Sequence, residues 1–350
     1  MPTAQPILAP KDATGPFFIG IDVGGTNIKI GLVDDLGRTL GYEEIETHES
    51  DGPQQAVDRA AAVCARVAEP LKAVGGSVSQ IGLGVPGTMD IPNGLFLEPP
   101  NLPHWWHFPV RDAVSRACGL PVSFINDANA ASFGEFWVGT GAKDNSLVLL
   151  TLGTGVGGGI ITDGHLINGK NSFGSECGHL IVDSHPDARL CVWGGGRGQL
   201  EAYASASAVA QRAEEGLRGG ATSSLTALAM AGKSITAKRV YEAAESGDAF
   251  SLQVIDETAF YLGIGITSIV HLTDPGLVVL GGAMNFGGNK SPVGRRFLNK
   301  IREVFAERTF PNVLAGTVID FASLGGDAGY IGAAGFARKE FLASAVKPAN

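Results

Sequence analysis

Two glycine-rich turns, each set between β-rich runs, constrain this 350-residue chain more than any other feature. Phe17 to Asp34 reads FFIGIDVGGTNIKIGLVD: two apolar, β-branched runs flank Gly24-Gly25-Thr26-Asn27, the pattern of a strand, a glycine turn and a returning strand. Ser146 to Gly169 repeats it, with the run SLVLLTLG, the turn Thr154-Gly155-Val156-Gly157-Gly158-Gly159 and a second run ending near Ile167. Two such hairpins far apart in one chain predict a duplicated, β-rich α/β unit with a cleft between the copies.

The stretches between the hairpins fill out that plan. A third strand follows around Tyr42 to Thr47, and Gln54 to Val74 has helical spacing of apolar residues. A buried strand, Gln80 to Val85, runs into GTMDIPNGLFLEPPNLPHWWHFP, whose prolines forbid regular structure and whose aromatics suggest a loop over a pocket. Trp105 and Trp106 in it could stack on a ligand or plug the base of a lobe. Val110 to Cys118 is a short helix, and Leu120 to Ile125 a strand ending in Asn126-Asp127 before an alanine-rich helix. Ligands of open α/β sheets bind at such strand ends, although Asp127 alone equally suits a helix cap. Beyond the second hairpin, helices are expected at Leu200 to Leu217, Ser234 to Ser246, Ala249 to Leu272 and Arg295 to Thr309, with strands at Leu277 to Leu280 and Val318 to Ser323. The resulting expectation is a disordered leader over 1–16, a small α/β lobe over 17–135 onto which a closing helix at 327–344 packs back, and a large α/β lobe over 136–326.

Composition excludes several function classes. A net charge of −9 and a pI near 5.3 argue against nucleic acid, because phosphate tracking needs clustered Lys and Arg. Four irregularly spaced cysteines, Cys64, Cys118, Cys177 and Cys191, make no disulfide framework and suit a reducing compartment, the cytoplasm. The leader lacks a signal-peptide pattern, and no apolar run reaches the ~18 residues of a membrane helix. GLGVPG and GTGVGG match G-x-G-x-x-G, but neither precedes a helix, so neither is a dinucleotide fingerprint. Gly232-Lys233-Ser234 lacks the earlier glycine of a Walker A loop. Gly at 50 of 350 is about double the usual ~7%, so backbone must come close to something, phosphate being one candidate.

A nucleotide kinase needs no Walker A loop if backbone N–H groups of two glycine hairpins converge on the phosphates, since phosphoryl transfer rests on positioning and charge stabilisation. On that reading Asp22 holds a hydrated Mg²⁺, and Thr26, Asn27 and Thr154 bond phosphate oxygens. Either hairpin alone reads equally well as an ordinary turn.

IDVGGTNIKIGLVD, GVPG, PNLPHW, INDANAA, LGTGVGGGII, ECGH, LEAYAS and VVLGGAMN, in this order and spacing, resemble the ROK family of bacterial sugar kinases and repressors, and the similarity runs from about Ile19 to Gly335. The resemblance implies the two-lobed actin-like ATPase fold, ribonuclease H-like, with duplicated mixed sheets. It implies an ATP-dependent kinase for a hexose 6-hydroxyl, glucose first, with N-acetylmannosamine or fructose as alternatives. ATP and Mg²⁺ are the implied cofactors, and a cytoplasmic homodimer the implied assembly. A sugar-sensing regulator is the competing class, disfavoured by the acidic balance and the short leader. Residue by residue, the resemblance makes Asp127 the general base and Asn101, Asn126, Glu176, His179 and Glu201 the sugar contacts. Gly24, Gly25, Thr26, Asn27, Thr154 and Gly155 then line the phosphates, and Gly281, Gly282 and Asn285 border the adenosine.

One departure stands out. ROK kinases usually hold zinc through the E-x-G-H histidine and the cysteines of C-x-C-G-x-x-G-C, whereas this chain reads CVWGGGRGQLE. Cys191 remains, Trp193 takes the second cysteine position, and Gly198 or Gln199 the third. A tetrahedral site needs four donors, and His179 and Cys191 supply two. Loss of the zinc site is expected, with the loop packing through Trp193 instead.

Overall fold

The computed structural model describes residues 6–99, 101–191 and 195–346. In chain order the strands are β1 (Phe17–Val23), β2 (Asn27–Val33), β3 (Thr39–Glu46), β4 (Val78–Val85), β5 (Met89–Asp90), β6 (Leu95–Phe96), β7 (Val122–Asn126), β8 (Leu147–Leu152), β9 (Val156–Thr162), β10 (His165–Leu166), β11 (Leu277–Gly281) and β12 (Val318–Phe321). The α-helices are α1 (Pro53–Ala68), α2 (Val110–Cys118), α3 (Asp127–Trp137), α4 (Glu201–Ala204), α5 (Ala206–Arg218), α6 (Thr226–Met230), α7 (Ala237–Glu245), α8 (Ala249–Thr273), α9 (Pro292–Arg308), α10 (Pro311–Gly316) and α11 (Ala328–Val346).

One sheet has the order β3-β2-β1-β4-β7 and another the order β10-β9-β8-β11-β12. Both follow the same permutation: third, second, first, fourth, fifth strand of the set. In the first, β1–β2 and β2–β3 are antiparallel while β4 and β7 run parallel to β1. In the second, β9–β10 are antiparallel and β11 and β12 follow β8 in parallel. The duplication inferred from two hairpins is therefore a duplication of whole mixed sheets. Inner parallel strands are covered on both faces, which is why β11, LVVLG, is a continuous apolar run buried throughout.

The chain divides into two compact units. One runs to Asn145 and also takes in Gly159–Ser175 and the chain from Ser323 onward; the other comprises Ser146–Gly158 and Glu176–Ala322. In the first unit α11 packs on α3, β1 and β4, and glycines make that possible. A Cβ on Gly20 or Gly82 would run into the Tyr330 or Ala333 carbonyl, and one on Gly332 into Ala130 of α3. From Leu8 onward the segment expected to be a disordered leader lies along β3: Leu8 N–H donates to Thr39 O at 2.7 Å, and the Arg38 guanidinium reaches Asp12 O at 3.1 Å. In the second unit the long α8 packs against α9, α7, α5 and α4. Among the described residues no helix is long and apolar enough to cross a membrane.

Candidate active site

The first unit carries the acidic strand end and the first hairpin. β7 stops at Asn126, whose side-chain oxygen accepts from Ala128 N at 2.9 Å and Asn129 N at 3.3 Å. Asn126 is thus the N-cap of α3, and Asp127 its first helical residue. With its oxygen committed to the cap, Asn126 offers a ligand its two amide N–H donors. Asp127, partly exposed, accepts Ala128 N–H at 2.8 Å through Oδ1 in the first turn of α3.

Gly24 opens the first turn with its N–H bonded to Asn27 O at 2.8 Å, and Gly25 and Thr26 stand exposed at the tip. A Cβ on Gly25 would lie 3.5 Å from Asn101 Cβ, so the proline-rich loop brings Asn101 beside the hairpin. The Asn27 amide is turned along the sheet to Glu44 Oε1 at 2.7 Å. Asp22 sits opposite Lys29 in the β1–β2 register. Burial pushes its carboxyl up to about 6, against the pull of the Lys29 charge. Gly329 leaves the space it occupies, because a Cβ there would strike that carboxylate. Trp105 is 1% exposed and edge-on to Phe96, so it plugs the core, whereas Trp106 is exposed.

The second unit carries the other hairpin and the E-x-G-H segment. Glu201, at the start of α4, is 6% exposed. Its Oε2 accepts Val156 N–H at 2.8 Å and its Oε1 accepts the Cys191 thiol at 3.3 Å. Gly155 has no room for a Cβ beside that carboxylate. Glu201, read from sequence as a sugar contact, thereby anchors the Thr154-Gly155 turn. Ser207 adds a bond to Thr154 O at 2.9 Å. Glu176 and His179 approach to 3.9 Å. Loss of hydration raises the Glu176 carboxyl, nearby His179 opposes that shift, and Glu201 adds to it. After β11, Gly282 adopts φ +89° and Met284 N–H bonds Leu152 O at 2.9 Å, folding the Gly281-Gly282 turn over the end of β8. Asn285 Oδ1 accepts Gly287 N–H at 3.1 Å and shapes the same turn.

Gln199, which the sequence offers only as an occupant of the third cysteine position, meets the E-x-G-H histidine. His179 Nδ1 and Gln199 Oε1 are 3.1 Å apart. An amide oxygen only accepts, so in this pair Nδ1–H is the donor and Gln199 fixes the orientation of the ring. Gln199 is one of the two candidates for the third cysteine position of the zinc motif, so a hydrogen bond stands where that motif places a metal ligand. The Cys191 thiol is bonded to Glu201, and burial beside Glu176 pushes the Cys177 thiol up to about 12. This donor set does not fit a tetrahedral zinc. The packing expected of Trp193 lies outside the described residues.

The model of the ROK family matches residues 18–340. The chain belongs to the ROK family. It is 35% identical over 323 residues to a glucokinase of Halalkalibacterium halodurans, covering 90% of this chain and 93% of that one. Among solved structures it is similar to a ROK hexokinase from Thermus thermophilus, with a TM-score of 0.78 and 29% identity over 94% of this chain and all of that one. It is likewise similar to a ROK glucokinase from Streptomyces griseus in complex with glucose and AMPPNP, with a TM-score of 0.68 and 34% identity over 93% of this chain and all of that one. The fold of this ROK chain is the actin-like ATPase fold, with its two mixed sheets.

Proposed function

We propose that this ROK chain is a glucokinase, an ATP-dependent hexose kinase that transfers the γ-phosphoryl group of ATP to the sugar 6-hydroxyl. The observation that carries the reading is the repeated sheet, with a glycine hairpin between the first two strands of each copy and Asn126-Asp127 at a strand end. Full-length similarity to glucokinases supports it.

In this reading Asp127 takes the proton of the attacking hydroxyl as the bond to phosphorus forms. Asn126 donates its amide hydrogens to sugar hydroxyls, joined by Asn101, Glu176 and His179. The backbone around Gly25, with Thr26, and the Thr154-Gly155 turn hold the phosphates, Glu201 fixing the latter turn from behind. Gly281, Gly282 and Asn285 border the adenosine. Asp22 is a buried carboxylate deprived of hydration, which suits it to a hydrated Mg²⁺ held through water. That ion, when bound, neutralises charge on the phosphate oxygens. Zinc has no part in the reading.

ADP release measured with Mg-ATP across glucose, fructose and N-acetylmannosamine tests it. Glucose should give the highest kcat/KM. If no hexose raises ADP release above the ATPase background, the kinase reading is wrong; a clear preference for another sugar would keep the chemistry and change the substrate.

A further inference from the structure

We propose that Thr47 is a positioning residue that sets the phosphate-binding face of the first glycine turn. The inference rests on the reading above, in which the backbone of Gly24 to Asn27 meets the ATP phosphates, and adds a residue outside that turn on which the function depends.

Thr47 follows β3 and is fully buried. It bonds the neighbouring turn twice: its N–H donates to Thr26 O at 2.8 Å, and its Oγ1–H to Gly24 O at 2.7 Å. Its own carbonyl is held from the other side by Arg59 of α1, whose Nη2 donates at 2.6 Å. Arg59 Nη1 lies 3.6 Å from Asp51 Oδ2, which steadies the guanidinium. A chain of contacts thus runs from α1 through Thr47 to both carbonyls that flank Gly25.

The consequence follows from peptide geometry. In a trans peptide the C=O of one residue and the N–H of the next point in opposite directions. Holding Gly24 O toward Thr47 therefore aims the Gly25 N–H away from Thr47, off the sheet at the exposed tip. Gly24 and Gly25 are adjacent glycines, the pair with the least intrinsic resistance to rotation of the peptide between them. Such a turn admits close approach of phosphate but does not fix its own amide direction. The Thr47 hydroxyl supplies that missing constraint, and a Ser or Thr is needed there because the donor must be short and attached to a strand end.

The test is a set of substitutions read by steady-state kinetics and by calorimetry with AMPPNP. Thr47→Val keeps the shape and the backbone bond to Thr26 O but removes the donor to Gly24 O. It should raise the KM for ATP and the Kd for AMPPNP about tenfold, the factor one ordinary hydrogen bond is worth. The KM for glucose should change less than about twofold, since what is lost is the aim of the Gly25 N–H at phosphate, on the nucleotide side. Thr47→Ser retains the hydroxyl and should restore most of the nucleotide affinity. If Thr47→Val does not fold, Thr47→Ala carries the same expectation. Unchanged nucleotide affinity in the variant lacking the hydroxyl, equal weakening of both substrates, or no recovery with Ser would each overturn the inference. Gly25→Val separates the two readings. Weakened AMPPNP binding in that variant beside a normal Thr47→Val retains the phosphate turn and rejects Thr47, whereas normal binding in Gly25→Val rejects the turn itself, and this inference with it.

Discussion

At the strand end, Asn126 caps α3 and Asp127 follows as its first residue, the group proposed above as the base, which makes the Asp127→Asn variant informative. The substitution keeps shape and a hydrogen-bonding oxygen while removing the proposed base. We expect kcat to fall by about two to four orders of magnitude with glucose Kd nearly unchanged; full activity would move the base elsewhere. Asp22 gives a second residue-scale prediction through its raised carboxyl, at about 6 against an ordinary 3.8. A group whose folded value is raised favours the protonated fold. Its ionisation therefore costs stability progressively as pH climbs from about 4 to about 6, and the penalty stays constant above that range. Asp22→Asn mimics the protonated state, so it should raise stability by about 1–3 kcal/mol at pH 8 and by nothing measurable at pH 3.5. The same variant should lose Mg-ATP turnover. Thermal melts at the two pH values check the first claim, and equal gains at both would contradict it. The places of Asp127 and Asp22 in the fold were legible in the sequence, because one follows a recognisable strand and the other lies near the end of one. Gln199 was not, since a lone glutamine in a glycine-rich loop carries no signal until His179 is seen 3.1 Å away.

Elements were legible where periodicity or caps marked them, and less so where tertiary contact set their ends. The helix expected over Gln54 to Val74 is α-helical only to Ala68 and continues as a 3-10 segment through Pro70, whose ring cannot join the α-helical ladder. The one expected from Leu200 to Leu217 breaks at Ser205, which caps α5 by accepting Ala208 N–H at 3.1 Å. The larger surprise is the use made of glycine. Its abundance pointed to phosphate, yet several glycines serve the seat of α11, where Gly20 and Gly82 let its backbone touch the sheet and Gly134 and Gly332 let it touch α3. Only coordinates separate these from the turn glycines, because both are simply Gly in the chain. The contact has a functional side: α3 carries Asp127 at its first position, and Glu135 near its end binds Leu324 N at 2.7 Å, just ahead of α11. Gly332→Ala, driven into the Ala130 carbonyl of α3, should destabilise the protein by about 1–3 kcal/mol, the usual penalty of overpacking. It should also lower kcat more than it raises the KM for ATP, since α3 moves and the first hairpin does not. A urea titration with matched kinetics measures both, and an unchanged midpoint would show that the close seat of α11 is not under strain.

For the whole molecule, the sequence anticipated a duplicated β-rich α/β unit because both hairpins repeat one pattern, but the path by which the chain returns to its first unit at 159–175 has no signature of its own. The second unit poses the remaining question, how a ROK chain lacking the zinc cysteines holds its E-x-G-H segment. Three side-chain bonds answer it here. Gln199 fixes the His179 ring, Cys191 bonds Glu201, and Glu201 in turn secures Val156 of the second hairpin. These bonds link Gln199, Cys191, α4 and the hairpin, and they engage His179 and Cys191, the two donors the family's zinc motif leaves in this chain. His179 can then meet the sugar through Nε2, on a ring whose orientation Gln199 sets. Purified protein should accordingly contain far less than one zinc per chain, and a chelator that spares Mg²⁺ should leave both melting and kcat unchanged. Gln199→Ala should weaken glucose binding by about three- to tenfold, the cost of a freed ring orientation, while ATP binding is retained. One tightly held zinc per chain, with unfolding on its removal, would mean that different donors assemble a site after all, and the hydrogen-bonded account of this loop would have to be abandoned.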